Sequence, residues 1–351
     1  MYKTCIQTSS LDNVWQEVPT TEASSNCASY FPLDNGRYEV KPGLMPFGFD
    51  LGNGITDRQV FQIDDNFADY RELKLSARAE CLSKYYQTCN YSTDVASAIA
   101  RLMIHRLTKE HPHHFQVEQQ ASDKITFHSR LSAETFYLDG NWQLLSFQTN
   151  GKPVFPPYVS ILDALATQIQ EDLTVICRAA DGRNWLSAVH LCYPNHWSAE
   201  DKIGKDFNAI HTPVAGMEKI NRRADAIVNT MIAHKPMVRF AWGLSTDTRL
   251  NHHPKPPTNI PIQQWQGRNF DPYNPRLYLR IERQVVWGLP EYQAALFSIR
   301  TYFRDCGAIK QDPQLRSKLV SAIQSMTSKS LIYKGLTESK DSILAWLTQK
   351  I

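Results

Sequence analysis

The chain has 351 residues, a formal net charge of +3, 42% hydrophobic and 21% charged residues. This is long enough for one large or two modest domains that bury a core and a cofactor, with the composition of an ordinary globular protein. No Lys/Arg block is long enough to track phosphates and no apolar run is long enough for a membrane span or a secretory leader, so neither nucleic acid nor membrane is an expected partner and a cytoplasmic location is.

Residues 1 to about 40 are rich in Ser, Thr and Asn without periodicity and read as a loosely packed arm. Pro42-Gly43 and Pro46-Phe47-Gly48 suggest an irregular segment laid over a core. Helical spacing follows from Asn66 to Gln87 and again from Ser92, with Val95, Ile99, Leu102 and Met103 on one face. His111, His113 and His114 end the second helix around Pro112; they read as a solvated turn before a metal site. Residues 124–128 and 135–147 read as strands forming a small hairpin, and Tyr158 to Gln170 as a helix.

The next region changes character. Leu173 to Cys177 is a continuous apolar strand, Asp181-Gly182 a turn, and Trp185 to Cys192 a returning strand. Ser198 is a candidate N-cap with Glu200 and Asp201 in the first turn, and Gly204 halts that helix. Ile203, Phe207, Ile210 and His211 then share one helical stripe, and Pro213 forces the chain out of helix at Thr212. His211 therefore faces inward at a helix end, beside unpaired carbonyls that accept a ring N–H. Two readings stay open: a core histidine satisfied by a carbonyl, or a neutral imidazole available to iron.

Ile220, Ala224, Ile227, Val228 and Met231 mark a longer helix ending near His234, and strands follow at 237–244, 277–287 and 294–303. A Pro-rich excursion from Asn251 to Pro275 separates the first two and reads as a lid or flap. Leu315, Leu319, Ile323 and Met326 share one side of C-terminal helices. Two strands, a helical crossing and three strands make an α+β fold, a five-stranded antiparallel sheet with helices over one face. That order resembles the PAS (Per-ARNT-Sim) fold, whose sheet and helices enclose a ligand pocket. The expected units are residues 1–170, a helical arm and small hairpin; 171–305, the PAS-like core; and 306–351, C-terminal helices.

Along the last strands, alternation places Arg280, Glu282 and Gln284 on one face and Leu279, Ile281, Arg283 and Val285 on the other. Arg239, Trp242 and Arg300 lie on neighbouring strands. These charges serve either as solvent-facing cross-strand ion pairs or as pocket groups, with a guanidinium to hydrogen-bond dioxygen and a carboxylate to hold a cationic amine.

Several segments together resemble the haem-dependent oxidative N-demethylase family: Gly43-Leu-Met-Pro46, Glu171-Asp-Leu173, Tyr193-Pro-Asn-His-Trp197, Asp201-Lys-Ile-Gly204, Ala209-Ile-His-Thr-Pro-Val-Ala-Gly216, Arg239-x-x-Trp242, Leu279-Arg-Ile-Glu-Arg-Gln284 and Leu296-Phe-Ser-Ile-Arg-Thr-Tyr302. The resemblance spans about residues 38–305. It implies haem b in a PAS pocket, O2 at the iron, and a small alkylamine, such as dimethylamine, that loses a methyl group as formaldehyde. NADPH would supply electrons through separate flavin and iron–sulfur components of a partner reductase, since the seven scattered cysteines contain no Cys-x-x-Cys pair. It also implies His211 as axial ligand with Ile210, Phe207 and Trp242 around the cofactor, Arg239 as oxygen-side donor, Glu282 as amine anchor, and Arg280 and Arg300 in support. Where the family pattern reads Arg-x-Asn-Trp, Ala241 replaces the Asn. The competing function class is a haem sensor or ligand-binding protein that does not turn over.

Overall fold

The computed structural model describes residues 13, 15–33, 35–119 and 124–349. A two-residue strand β1 (Met45–Pro46) leads to helix α1 (Phe67–Tyr85), broken at Cys81, then β2 (Tyr86–Thr88) and α2 (Thr93–Glu110). Ser92 caps α2 by accepting from the Val95 amide, as its sequence position predicts. Four strands follow, β3 (Phe115–Gln119), β4 (Ile125–Ser129), β5 (Glu134–Leu138) and β6 (Leu144–Thr149), then the short α3 (Ile161–Ala166). The central hairpin is β7 (Glu171–Arg178) and β8 (Asn184–His190), and short helices α4 (Ala199–Lys202), α5 (Phe207–His211) and α6 (Glu218–Asn221) precede α7 (Ala224–Ala233). Strand β9 (Met237–Ser245), helix α8 (Ile262–Trp265), and strands β10 (Tyr278–Leu289) and β11 (Ala294–Asp305) lead to α9 (Cys306–Gln311), α10 (Pro313–Gln324), α11 (Ser328–Lys334) and α12 (Lys340–Thr348).

The fold is mixed α and β with two antiparallel sheets. The five strands expected from the sequence occur side by side, in the order β9-β10-β11-β7-β8. They do not form a whole sheet: β1 pairs with β9 and β2 with β8, which extends the sheet to seven strands. Both additions are two or three residues long, too short for any alternation to betray them. The expected small hairpin is likewise part of a four-stranded sheet, β3-β4-β5-β6, whose inner face stacks Phe115, Phe127, Phe136 and Phe147.

The helical spans are shorter than periodicity suggested. Residues 158–170 contain only α3, capped by Ser160 through the Asp163 amide, while strand pairing begins already at Glu171. Three more expectations change. Tyr30 and Leu33 of the N-terminal arm are buried against Leu279, Ile281 and Tyr302, because the C-terminal helices leave that sheet face an apolar groove to fill. The Pro-rich excursion is anchored, since Trp265 is buried and donates its indole N–H to the His253 carbonyl. The histidine turn after α2 is not fully solvated either: His111 is buried with Nε2 bonded to the Phe61 carbonyl at 2.7 Å.

Sheet register separates the two faces of the large sheet. Arg239, Ala241 and Gly243 of β9 lie opposite Gln284, Glu282 and Arg280 of β10, so all six share one face. Lower on that face Val286, Ala295 and Ile176 carry α5 to α7 through Phe207, Met217, Val228, Met231 and Ile232. The approach is close: a Cβ at Gly288 would lie 2.2 Å from the Ile232 carbonyl oxygen. The C-terminal helices and N-terminal arm cover Leu244, Leu279, Ile281 and Tyr302. No helix among the described residues is long and apolar enough to cross a membrane.

Candidate functional site

The polar upper half of the helix-bearing face forms a basin. Its floor is Arg239, Ala241, Arg280, Glu282 and Gln284, and Glu282 pairs across the strands with Ala241 on one side and Thr301 on the other. Glu282 is partly exposed and accepts from Gln284 Nε2 at 3.0 Å and from Asn195 Nδ2 at 3.4 Å, with Arg280 Nε at 3.9 Å. Arg280 is fixed from behind, donating to the carbonyls of Tyr193 (2.8 Å) and Leu250 (3.0 Å). Burial lowers the Arg280 pKa, and Glu282 and Asp172 counteract it.

His211 closes α5. Asp206 caps that helix through the Ala209 amide, and the helix ends at His211 as the sequence reading placed it, although the C-cap Thr212 before Pro213 keeps helical dihedrals. His211 Nδ1 bonds the Phe207 carbonyl at 2.7 Å, and the two rings lie 4.2 Å apart at 36°. A carbonyl accepts only from N–H, so Nδ1 carries the proton and Nε2 keeps its lone pair free. Burial pushes the His211 pKa down to about 4, helped by Arg239 and Lys202 and opposed by the Phe207 carbonyl, so the imidazole is neutral at pH 7. The Arg239 pKa is lowered by burial and held up by Glu282; among the described residues its Nη2 reaches only the Lys41 carbonyl at 3.4 Å and its buried Nε has no partner. Beside His211, Thr212, Pro213, Val214, Ala215 and Glu218 line a cleft of about 430 Å³, closed across by Lys329, Ile332 and Tyr333 of α11.

Three expected members of the site stand elsewhere. Trp242 occupies the opposite face of β9, packed on Tyr38 at 5.5 Å, and Arg300 pairs across from Arg283 and Glu171 on that same reverse face, bound to Asp64 at 2.6 Å. The pleat is the reason: Trp242 is three residues from Arg239, an odd separation that reverses the side. Ile210 turns into the small cluster of Leu186, Val189, Leu191 and Ala199, away from its neighbour His211. His234 is exposed at the end of α7.

Other groups enter that sequence reasoning missed. His196 has a left-handed backbone (φ 61°), unusual for a residue with a Cβ, and stacks on His252 at 5.4 Å. Burial drives its pKa far down, and Arg268, His252, Arg280 and Lys334 add to the effect. His252 is fully enclosed; its Nε2 bonds Asp247 at 2.9 Å while Arg280 Nη1 donates to Nδ1 at 3.4 Å. The backbones of these histidine loops are joined as well, His196 N–H to the His252 carbonyl (3.0 Å) and His252 N–H to the Pro194 carbonyl (2.9 Å). Lys334 arrives from α11 and donates to the Trp242 carbonyl at 2.8 Å. Only the Tyr-Pro-Asn-His-Trp run around His196 gave a sequence signal; Arg268 and Lys334 gave none.

A family model described as haem-dependent oxidative N-demethylase, alpha subunit-like, matches residues 53–344. The chain belongs to this family. Members of the haem-dependent oxidative N-demethylase alpha subunit-like family are oxidoreductases by description, and the words "alpha subunit" imply a partner subunit. The residues fit the cofactor that the family name carries. A neutral imidazole with a free Nε2, an aromatic ring under it, an adjoining cleft and unmet guanidinium N–H groups are what a flat, apolar, carboxylate-bearing iron macrocycle requires.

Proposed function

We propose that this chain is the haem-binding catalytic subunit of an oxidative amine N-demethylase, a monooxygenase that removes a methyl group from a small alkylamine such as dimethylamine. The five strands β7 to β11 with helices α4 to α7 act as a PAS-like core within residues 171–305, and residues 1–170 and 306–351 extend it. The observation that carries this reading is that His211, whose neutral ring leaves Nε2 unengaged, lies within the field of Arg239, which shares a sheet face with Glu282.

Haem b, when bound, supplies the redox chemistry that uses O2 to oxidise the amine. His211 holds the iron, with Phe207 packed on the imidazole and the Phe207 carbonyl fixing its tautomer. Arg239, with a buried Nε that has no partner among the described residues, would supply a hydrogen-bond donor to dioxygen, and Glu282 would offer a carboxylate to the ammonium of the substrate. Gln284 and Asn195 orient Glu282 by donating to its two oxygens, and Arg280 supports it from the same strand. Ala241, opposite Glu282, leaves free the space that the family's Asn would fill. Electrons come from NADPH through separate flavin and iron–sulfur components of a partner reductase.

The test is an optical titration of the ferric protein with a panel of methylated amines. His211→Ala is expected to lose haem during purification while His234→Ala retains it. Glu282→Gln is expected to keep haem but weaken amine binding by about 2–5 kcal/mol, the cost of removing one partner of a desolvated charge pair. A protein without a Soret band after expression with haem precursor, or a Gln variant that binds amines as wild type does, refutes the reading.

A further inference from the structure

The basin holds more positive charge than its own acid can balance. Glu282 faces Arg239 and Arg280 on the sheet, and it faces Lys334 with Arg268 close by. Arg280, Arg239 and Lys334 each have a carbonyl acceptor. Arg268 has none: no hydrogen bond or ion pair from its guanidinium occurs among the described residues, and its Nε is buried without a partner. Burial lowers its pKa to about 10, and Tyr333 alone offers an opposing influence. A half-buried guanidinium whose Nε has no acceptor and whose terminal nitrogens are not enclosed offers its open N–H groups to an anion from outside the chain.

That placement is specific. Gly335 ends α11 in the left-handed conformation (φ 66°), and a Cβ there would lie 2.5 Å from Arg268 Cδ and 2.7 Å from its Nη1. The arginine thus lies across the C-terminus of α11, next to Lys334, where the left-handed backbone favours glycine. Lys334 has one carbonyl acceptor for three N–H donors, and burial with Arg268 and Arg280 nearby lowers its pKa to about 8. Tyr333, which lines the cleft beside His211, sits within the field of both Glu282 and Arg268.

We infer that Arg268 and Lys334 form a carboxylate-binding subsite at the mouth of the basin, which takes the propionates of the haem assigned above. A guanidinium fork and an ammonium with spare donors suit two flexible carboxylates on an otherwise apolar ring. The subsite rests on the haem reading and adds a consequence to it: the cofactor's own negative charges cancel the excess around Glu282, so an alkylammonium binds after haem rather than before it.

The experiment titrates apo-protein with haem and, separately, with haem dimethyl ester, whose carboxylates are blocked, following the Soret band. Arg268→Ala is expected to weaken haem binding about ten- to a hundredfold, the scale of one lost charge-assisted bond, and to leave ester binding unchanged. Lys334→Met should act in the same direction, and Arg268→Lys should recover part of the loss. Equal weakening for both ligands, or none for either, overturns the subsite and leaves the haem reading intact. If wild type develops no Soret band with either ligand, the haem reading fails and the subsite with it. Circular dichroism of each variant separates a misfolded protein from a weakened site, and the second variant decides where the first does not fold.

Discussion

Arg78 and Arg268 are the same side chain in opposite circumstances. Arg78, in the polar junction under α3, donates through Nε and Nη2 to both oxygens of Asp163 at 2.8 Å and through Nη1 to the Pro156 carbonyl at 3.1 Å. Asp163 also accepts from His190 and from the Val159 amide. Around it Lys74 is enclosed by the carbonyls of Ala166 and Glu171, and Arg300 by Asp64 with Tyr70 stacked at 4.0 Å. In the basin, by contrast, Arg268 has no hydrogen-bond acceptor among the described residues and Arg239 only a distant carbonyl. Unmet donors occur in both regions, since Arg283 and Arg300 also leave buried N–H groups without a partner among the described residues; what sets Arg268 apart is that its guanidinium makes no hydrogen bond or ion pair with any of them. The junction warns against reading chemistry from proximity alone. Cys192 Sγ, His190 and Asp163 make a chain with spacings of 3.8 and 3.2 Å that resembles a nucleophilic triad. Yet the thiol is buried and its pKa pushed far up by burial and Asp172, the opposite of what a reactive cysteine needs.

The contrast is open to attack, beginning with the largest effect. Asp163→Ala should destabilise the protein by about 3–5 kcal/mol, because it strands Arg78 in the interior, whereas Arg268→Met should change stability by no more than about 1 kcal/mol. Urea unfolding of the two variants, without cofactor, decides it; comparable losses would erase the distinction between an architectural and a ligand-directed arginine.

Acid and alkali should also load the two regions in opposite directions. Burial holds the fully enclosed His252 down to about 4 against an ordinary 6.5, so the unfolded chain takes up its proton first and stability falls as pH drops from about 6.5 to 4. That contribution is on the order of 3 kcal/mol. In the junction, burial raises Glu171 to about 7 and Asp172 to about 6. Their contribution is complete below the ordinary carboxylate range and is lost as pH rises through 6 to 7. Unfolding free energies measured from pH 4 to 8 should show the acid limb flattened by His252→Gln and the neutral limb flattened by Glu171→Gln. A pair of variants whose curves run parallel to wild type would contradict both assignments.

The smallest expected effect is the most local. Ala241→Asn restores the polar side chain of the family pattern directly opposite Glu282 and should shift preference between small and bulky amines by about 1–3 kcal/mol, read from competition titrations. No shift would place Ala241 outside the substrate's reach.

What the sequence revealed of this arrangement follows physical lines. Strand parity along Leu279 to Val285 correctly grouped Arg280, Glu282 and Gln284, because alternation is local and needs no partner. The same parity, applied from Arg239 to Trp242, already separates those two residues. Placing Arg300 required the register between β10 and β11, which no local pattern encodes. A backbone carbonyl for the His211 ring was expected among those left open at the helix end; the one that serves belongs to Phe207, a turn earlier at the start of α5. Arg268 and Lys334 were not legible, since their meeting depends on a close approach of two distant segments across Gly335. The arm's buried Tyr30 and Leu33 escaped for a related reason: a segment with extended backbone and no period shows its inward side only once the groove exists.

The paired amide bonds between residues 194–196 and His252 have a kinetic consequence. They form a parallel bridge that fastens the long connection after β9 to the loop after β8, directly over the edge of the basin. A connection tethered only at its ends can swing open on its own; this one cannot part from the basin wall without breaking both bonds together. On the proposed reading, passage of a large planar ligand along that edge would require local opening, which a small amine would not. The amide protons of His196 and His252 should exchange with solvent as a linked pair, at the rate that limits the slower traffic.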